Sequence, residues 1–271
     1  MPAPAPFPRV KRQLLISDFD ESMADADSDR WTFEVLSPRL RRQFDDLSHA
    51  PLAERMQFTD LCAHLLEKLH VEEGKGEQDV RAAQRQLYMH PAMVRGFRAM
   101  RDAKADTETQ TTCFLLSNSN EVYLGTILEH HGLQTSTYRL FDEIVTNPAH
   151  FEPSGLLRLS RRILATAKDQ HDCKVGCSAN MCKGDELEAF LARRGGREAA
   201  GFERLIYLGD GGNDYCPVMR MQEQDVALVR RGRGLEKRIK SEGEPKCQVR
   251  WWNDAWEVEE LFAALRNQPL Y

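Results

Sequence analysis

The sequence predicts an α/β protein with a Rossmann-like, doubly wound parallel sheet and an α-helical cap inserted after the first strand. Short apolar runs alternate with segments of helical periodicity, which is typical of parallel sheets. Two of these runs, at 14–16 and 205–208, end abruptly in carboxylates. The region 31–105 has no convincing strand pattern, and long, polar, helix-favouring segments dominate it.

The predicted elements follow from apolar spacing and from the glycines that end them. Residues 1–12 are Pro-rich and are expected to form a disordered lead-in. The core is expected to comprise 13–30 and 106–271, and the cap 31–105. Strands are predicted at 14–17, 112–117, 141–146, 203–209 and 225–229. Helices are predicted at 58–69, 79–89, 121–131 and 183–194, the last two ending before Gly132 and Gly195.

Composition excludes several classes of protein. The chain has 271 residues, of which 41% are hydrophobic and 29% charged, and a formal net charge of −5. This charge gives no general attraction to nucleic acid or to an anionic membrane, and no apolar stretch reaches spanning length. Without a secretory signal, the seven cysteines are expected to be reduced thiols of a cytoplasmic protein. The oligomeric state stays open.

Four carboxylates are expected to meet where the two acidic runs end. Asp18 and Asp20 follow the first strand, and Asp210 and Asp214 follow a later one. Ligands of open α/β sheets bind at the carboxyl ends of the strands. Carboxylates crowded together require a counter-ion, and Mg²⁺ combines one or two of them with phosphate oxygens. The pattern therefore predicts a magnesium site for phosphate chemistry.

Further residues would complete a phosphoryl-transfer site. Asp18 is the candidate nucleophile, and Asp20 is the candidate general acid and base. Ser117 ends the middle strand and offers a hydroxyl and an N–H to phosphate, while Lys183 neutralises its charge. Gly211 is expected to let the backbone turn tightly beside the bound substrate. Each residue alone also fits an ordinary surface or turn position, so the prediction depends on the combination.

The combination resembles a known superfamily. Its motifs are DFDES at 18–22, LSN at 116–118, Lys183, and GDGGND at 209–214. In this order they resemble the haloacid dehalogenase superfamily of phosphatases. The resemblance implies magnesium-dependent phosphomonoester hydrolysis through an aspartyl-phosphate. Dehalogenases and P-type ATPases lack an Asp at the position of Asp20, whereas phosphatases and phosphomutases have it. Ser22 departs from the more usual Thr.

Longer strings narrow the resemblance to the phosphoethanolamine/phosphocholine phosphatase family. They are TNPA at 146–149, CSANMCK at 177–183, GDGGNDYCP at 209–217, DVA at 225–227 and RRG at 230–232. The similarity extends over 14–238. It implies that the helical insert is the family's cap and that the substrate is a small phosphorylated metabolite.

Two residues bear on the substrate. Asp29 is similar in place to a family acid that faces the substrate's amine, and its alternative role is a helix N-cap. The acid that follows the motif-two serine is replaced by Asn118. The resemblance and Asp29 make phosphoethanolamine or phosphocholine the first expectation, whereas the neutral Asn118 leaves room for pyridoxal phosphate or thiamine monophosphate as the alternative. A different class, a non-catalytic binding or regulatory protein on the same fold, also remains possible at this point.

Three other features of the sequence are considered as possible sites: a cysteine-rich segment, a basic run and a group of tryptophans. His171, Cys173, Cys177 and Cys182 have the residue types of a zinc site but not the spacing of a standard finger, so buried thiols are the alternative. The basic run 230–240 is expected to be a solvated helix face rather than a nucleic-acid site. Trp251, Trp252 and Trp256 are expected to pack against the sheet edge.

Overall fold

The centre of the molecule is a six-stranded parallel sheet with strand order β3-β2-β1-β6-β7-β8. The computed structural model describes residues 7–51, 55–103 and 109–266. The strands of the sheet are β1 (Arg12–Ser17), β2 (Gln110–Asn120), β3 (Glu143–Asn147), β6 (Arg204–Gly209), β7 (Val226–Arg230) and β8 (Gln248–Trp252). The order reverses direction between β1 and β6, which places a topological switch point there.

Helices cover both faces of this sheet. Alternation along β1 directs Leu15 towards one apolar cluster and Leu14 and Ile16 towards the other. The first face packs against α5 (Pro91–Arg101), α6 (Glu121–His130) and α10 (Ala255–Leu265), and the second against α7 (Lys183–Ala192), α8 (Tyr215–Met219) and α9 (Gly234–Glu242). Because both faces are buried, the strands are continuous apolar runs. The predicted fold class is confirmed.

Four helices lie between β1 and α5 in the chain and pack against one another, and we refer to them as the helical layer. They are α1 (Ser28–Leu36), α2 (Pro38–Ser48), α3 (Phe58–Glu73) and α4 (Glu77–Gln84). The apolar face predicted for α3 is buried, as Leu61, Leu65 and Leu69 show. In contrast, α5 packs against α10, where Arg95 forms an ion pair of 2.7 Å with Glu259. The division of the chain into core and cap remains a prediction.

Several element boundaries differ from those predicted. β2 continues past Ser117 to Asn120, and α4 ends at Gln84 rather than near residue 89. A short hairpin of β4 (Ala149–Phe151) and β5 (Leu157–Leu159) was not predicted, nor were β8 and α10, whereas α9 falls on the basic run that was expected to be helical. Trp251 and Trp252 lie within the edge strand β8 instead of packing against the edge from outside, and Trp256 is half exposed. Among the described residues, no helix is long and apolar enough to cross a membrane.

Arg204, the first residue of β6, holds the segment before β1 against the amino-terminal end of the sheet. It is almost fully buried and donates to Gln13 Oε1 at 2.6 Å, Pro8 O at 3.0 Å and Leu265 O at 2.6 Å. Burial lowers the pKa of its guanidinium to about 10. Phe7 is only 7% exposed beside this group. The expected disordered lead-in is thus wrong for 7–12, because these contacts order it, whereas 1–6 lie outside the described residues.

Replacing Arg204 with alanine is expected to lower the free energy of unfolding by about 2–4 kcal/mol, because it leaves buried acceptors without donors. Urea denaturation measures the change. Arg85→Ala, at an exposed position in the chain, is the matched control and should stay within about 0.5 kcal/mol of the parent. Equal stability of the two variants would contradict the assigned role of Arg204.

Candidate active site

Two neighbouring strands deliver the central carboxylates to the switch point. Ser17 of β1 lies in register with Leu208 of β6, and the Asp18 N–H donates to Leu208 O at 2.9 Å. Asp18 and Asp210 therefore leave the sheet side by side. The adjacency predicted from the two apolar runs is found in the structure.

Lys183 joins two of these carboxylates. Its Nζ lies 2.7 Å from Asp18 Oδ2 and 2.7 Å from Asp214 Oδ1, and all three side chains are buried. Burial opposes the ammonium form, but Asp18 and Asp214 outweigh it and raise the pKa of Lys183. Burial and the charge of Asp214 raise the pKa of Asp18, against the lowering effect of Lys183. The lysine is thus a fixed positive charge beside the candidate nucleophile.

Asp214 is held by a ring of donors. Its Oδ2 accepts from the backbone N–H groups of Asp210 at 3.0 Å and Gly211 at 2.8 Å, and its Oδ1 accepts from Tyr207 Oη at 2.8 Å. A Cβ on Gly209 would lie 2.7 Å from Asp214 Oδ2, so the turn tolerates only glycine there. These contacts fix the lysine's partner in one orientation.

Three carboxylates are placed to hold a metal ion. Ligand oxygens of Asp18, Asp210 and Asp214 lie within 4.8 Å of one another. Burial, followed by the charge of Asp214, raises the pKa of Asp210 to about 7, although its bond from Ser22 Oγ at 2.8 Å opposes the change. Carboxylate oxygens at this density fit a hard divalent cation, which would relieve their repulsion.

Asp20 lies in a different acidic group. Its carboxylate clusters with Asp27 and Asp29, and its Oδ1 accepts from the Ser28 N–H at 2.8 Å. Burial, Asp27 and Asp29 all raise the pKa of Asp20. The side chain predicted as a metal ligand is therefore outside the carboxylate group of Asp18. The backbone turn after Asp18 directs it towards the helical layer, where a raised pKa suits a general acid.

Asp29 is not the helix N-cap that was considered for it. The N-cap of α1 is Asp27, whose side chain accepts from the Arg30 N–H at 3.0 Å. Asp29 lies in the first turn and is 3% exposed, and its Oδ1 has no hydrogen-bond partner in the described part of the chain. Burial, followed by Asp27, raises its pKa. This unpartnered oxygen belongs to a residue that lines the site.

Ser117 and Asn118 lie where the β2–β3 register shifts, between Leu116 and Asn120. Bulges of this kind re-aim side chains next to active sites. Asn118 lines the cavity and accepts from Asn213 Nδ2 at 2.9 Å, while Ser117 is fully buried beneath it and accepts from the Ser119 N–H at 3.2 Å. Asn147 fixes the bulge through the Asn118 and Ser119 carbonyls, at 2.6 and 3.0 Å.

A cavity of about 700 Å³ connects the two acidic groups. Gln57 and Phe58 line it from the start of α3, and Gln57 Nε2 donates to Ala179 O at 3.2 Å across its rim. Seven of the lining residues described carry carboxylates, and Arg238 is the only basic one among them. Gly211 also lines the cavity, and its part in binding substrate remains a prediction. The site therefore combines a buried ionic centre with a strongly acidic wall.

Sequence reasoning missed several of these residues. From the sequence, Tyr207 was predicted only as part of a strand and Asp27 only as part of a loop, and neither was assigned to the site. Arg238 was assigned to a solvated basic face, but it donates to Gly212 O at 2.9 Å, stacks over Tyr215 and pairs with Glu242. Arg230 likewise donates to Glu21 O. The sequence offered one signal that they belong to the site: both arginines come after the strand predicted at 225–229, which is the next strand along the chain after the acidic motif.

Comparison with known proteins identifies the family. The Putative Phosphatase family model matches residues 13–265. The chain is 29% identical to inorganic pyrophosphatase 1 of Arabidopsis thaliana, covering 89% of this chain and 75% of that protein. It is 28% identical to pyridoxal phosphate phosphatase PHOSPHO2 of Bos taurus, covering 83% and 85%. It is 25% identical to a thiamine phosphate phosphatase-like protein of Arabidopsis thaliana, covering 93% and 94%.

Solved structures share the fold. A haloacid dehalogenase family hydrolase of Salmonella enterica serovar Typhi aligns with a TM-score of 0.60 and 13% identity, over 98% of this chain and 74% of that one. A phosphoserine phosphatase solved as a phospho-aspartyl intermediate analogue aligns with a TM-score of 0.55 and 12% identity, over 93% and 99%. The family match favours the enzyme over the non-catalytic alternative. The chain belongs to the Putative Phosphatase family and is a phosphatase, and it shares its fold with a haloacid dehalogenase family hydrolase.

Proposed function

We propose that this phosphatase is a magnesium-dependent phosphomonoesterase for a small metabolite whose alcohol carries a positively charged nitrogen, acting through a phosphorylated Asp18. The observation that carries the proposal is the separation of two acidic groups across one cavity. Asp18 lies against Lys183 at 2.7 Å, whereas Asp20 lies with Asp27 and Asp29. One group suits phosphate and the other suits a cationic leaving group.

Asp18, Asp210 and Asp214 are the residues that would hold Mg²⁺. Their mutual closeness and the raised pKa values of Asp18 and Asp210 indicate a place for a cation beyond Lys183. When bound, the ion supplies positive charge that offsets the negative charge of the phosphoryl oxygens.

The chain's own residues account for both half-reactions. An Asp18 carboxylate oxygen bonds to phosphorus as the ester P–O bond breaks, and Asp20 gives its proton to the departing alkoxide. Water then adds to phosphorus while Asp20 takes up a proton, and the bond to Asp18 breaks to release phosphate. Lys183 and the Ser117 region stabilise charge on the non-bridging oxygens.

The acidic wall supports the substrate class. Asp29 Oδ1 is buried without a partner, so a cationic nitrogen would satisfy it. Asp27 lies beside it and adds negative charge, although its own oxygens already accept from Arg30. Phosphoethanolamine and phosphocholine meet this requirement. A cavity of about 700 Å³, with Phe58 in its wall, also has room for the ring of pyridoxal phosphate or thiamine monophosphate. Pyrophosphate, the substrate in one relative's name, would face the same carboxylates with like charge.

Asp18→Asn is expected to lower phosphate release by about 10³-fold or more, because an amide cannot form the acyl phosphate. Acid quenching with radiolabelled substrate should trap a phosphorylated chain in the parent and none in the variant. Asp46→Asn, at an exposed position of α2, is the control and should behave like the parent. A phosphorylated Asp18→Asn chain with parental turnover would refute the nucleophile assignment.

Asp27→Asn is expected to shift the alkaline limb of kcat/KM to lower pH. Asp27 raises the pKa of Asp20, so removing its charge lowers that pKa and Asp20 loses its proton at lower pH. Asparagine keeps the N-cap of α1 intact. The profile is measured with glycerol phosphate, whose alcohol is neutral, with Asp46→Asn again as control. An unmoved limb, or one shifted to higher pH, would contradict Asp20 as the acid.

Asp29→Asn is expected to lower kcat/KM for phosphoethanolamine by about 10- to 100-fold, the worth of one charge-assisted hydrogen bond. It should also lower kcat/KM for thiamine monophosphate, whose quaternary nitrogen has no N–H and would lose only the attraction between opposite charges. Turnover of glycerol phosphate should change little at a pH below its alkaline limb, where Asp20 keeps its proton in both proteins. The panel also contains phosphocholine, pyridoxal phosphate and pyrophosphate. Equal losses on charged and neutral esters would mean that Asp29 only supports the fold. A parental preference for pyrophosphate would overturn the substrate class while leaving the reaction intact.

A further inference from the structure

Four cysteines converge outside the cavity's catalytic residues. The Sγ atoms of Cys173 and Cys177 are 3.5 Å apart, and those of Cys182 and Cys216 are 3.6 Å apart. The cross pairs Cys173–Cys216 and Cys177–Cys182 are separated by 3.3 and 3.7 Å. All four sulfurs lie within 4.8 Å of one another, and none is in a disulfide. If the four cysteines were only filling space in the core, their sulfur atoms would have no reason to converge on one point.

These distances match a metal geometry. In a tetrahedral thiolate site with Zn–S bonds of about 2.3 Å, neighbouring sulfurs lie about 3.8 Å apart. A disulfide would instead need about 2.05 Å. The cluster's spacing is therefore that of four ligands around a common centre rather than that of two oxidised pairs.

The surrounding groups fit bound thiolates. The Val175 N–H donates to Cys173 Sγ at 3.4 Å, and Arg220 Nη2 donates to Cys182 Sγ at 3.8 Å. Cys182 is the N-cap of α7, where the helix dipole favours negative charge. Donors of this kind orient sulfur ligands and balance their charge.

The four cysteines differ in one member from the candidate zinc ligands suggested by the sequence, which included His171 instead of Cys216. His171 is not among the four residues whose ligand atoms converge, and its Nε2 is hydrogen-bonded to Ser178 O at 2.8 Å. Cys216, which is distant in sequence, takes the fourth place. A set of four cysteines with no open position is typical of structural zinc rather than catalytic zinc.

The segment that carries three of the ligands needs such support. Residues 160–182 contain neither helix nor strand, although they form one wall of the cavity through Cys177, Ala179 and Met181. Loops of this length without regular structure are uncommon inside a compact domain. Cys182 directly precedes Lys183, and Cys216 follows Asp214 by two residues. A link between these cysteines thus ties together the two sides of the Lys183–Asp214 ion pair.

We propose that Cys173, Cys177, Cys182 and Cys216 bind one structural Zn²⁺ that fixes the loop 160–182 against α8. The site leaves the phosphoryl-transfer residues unchanged and determines how firmly Lys183 is positioned. It is independent of the choice of phosphate ester.

Metal analysis of the full-length protein, purified under reducing conditions from zinc-supplemented cells and dialysed free of loose metal, tests the site directly. We expect one zinc ion per chain in the parent and in Cys247→Ser, a buried cysteine outside the cluster. Cys173→Ser and Cys216→Ser should lose most of it. Parent protein without zinc, or single variants with parental zinc, would overturn the proposal.

Cobalt substitution covers the case in which the cysteine variants do not fold. Zinc is removed from the parent with a chelator and Co²⁺ is added. We expect the intense visible bands of tetrahedral cobalt and a cobalt–thiolate charge-transfer band, together with recovery of the melting temperature that the chelator lowered. Absence of both the tetrahedral bands and the cobalt–thiolate band would refute the site, whereas octahedral bands alone would report Co²⁺ at the carboxylates of Asp18, Asp210 and Asp214.

Discussion

The buried ion triplet of Lys183, Asp18 and Asp214 is the interaction on which the rest of the structure depends. Its side chains are buried, so each charge has lost its hydration, and only close pairing at 2.7 Å offsets that cost. The three residues come from the ends of β1 and β6 and from the start of α7. A large shift among these elements would leave a charge unpaired, and the fold must therefore hold them firmly in place.

The sheet and its connections supply that rigidity. The parallel register of β1 and β6 fixes Asp18 and Asp210, and the tight turn after Gly209 returns Asp214 towards the lysine. Lys183 directly follows a loop without regular structure, so the contacts of that loop help to set the position of the lysine. Asn180 Nδ2 donates to Asn147 Oδ1 at 2.9 Å, which also connects this loop to the bulge that carries Ser117. The proposed zinc site would complete the same frame.

The sequence predicts a site residue well when the pattern that identifies it lies within one short segment of the chain. Asp18, Asp210 and the strands before them were predictable, because a buried parallel strand and its carboxyl end lie in one short run. The group around Asp20 was not, since it depends on a turn in which Glu21 adopts a positive φ of 54°. Cys216 was missed for a similar reason. Its partners are distant in sequence, and only the packing of α8 against α7 brings them together.

The second acidic group connects substrate charge to acid catalysis. Asp27 and Asp29 raise the pKa of Asp20, which favours the protonated form that an alkoxide leaving group needs. A cationic nitrogen bound beside them would offset part of that effect and lower the pKa of Asp20. Esters of cationic alcohols should therefore show an alkaline limb of kcat, which reports the enzyme–substrate complex, at lower pH than neutral esters do. On this view the same three carboxylates select the leaving group and set the pH range over which it departs, so a substitution at Asp27 or Asp29 should change both specificity and pH range.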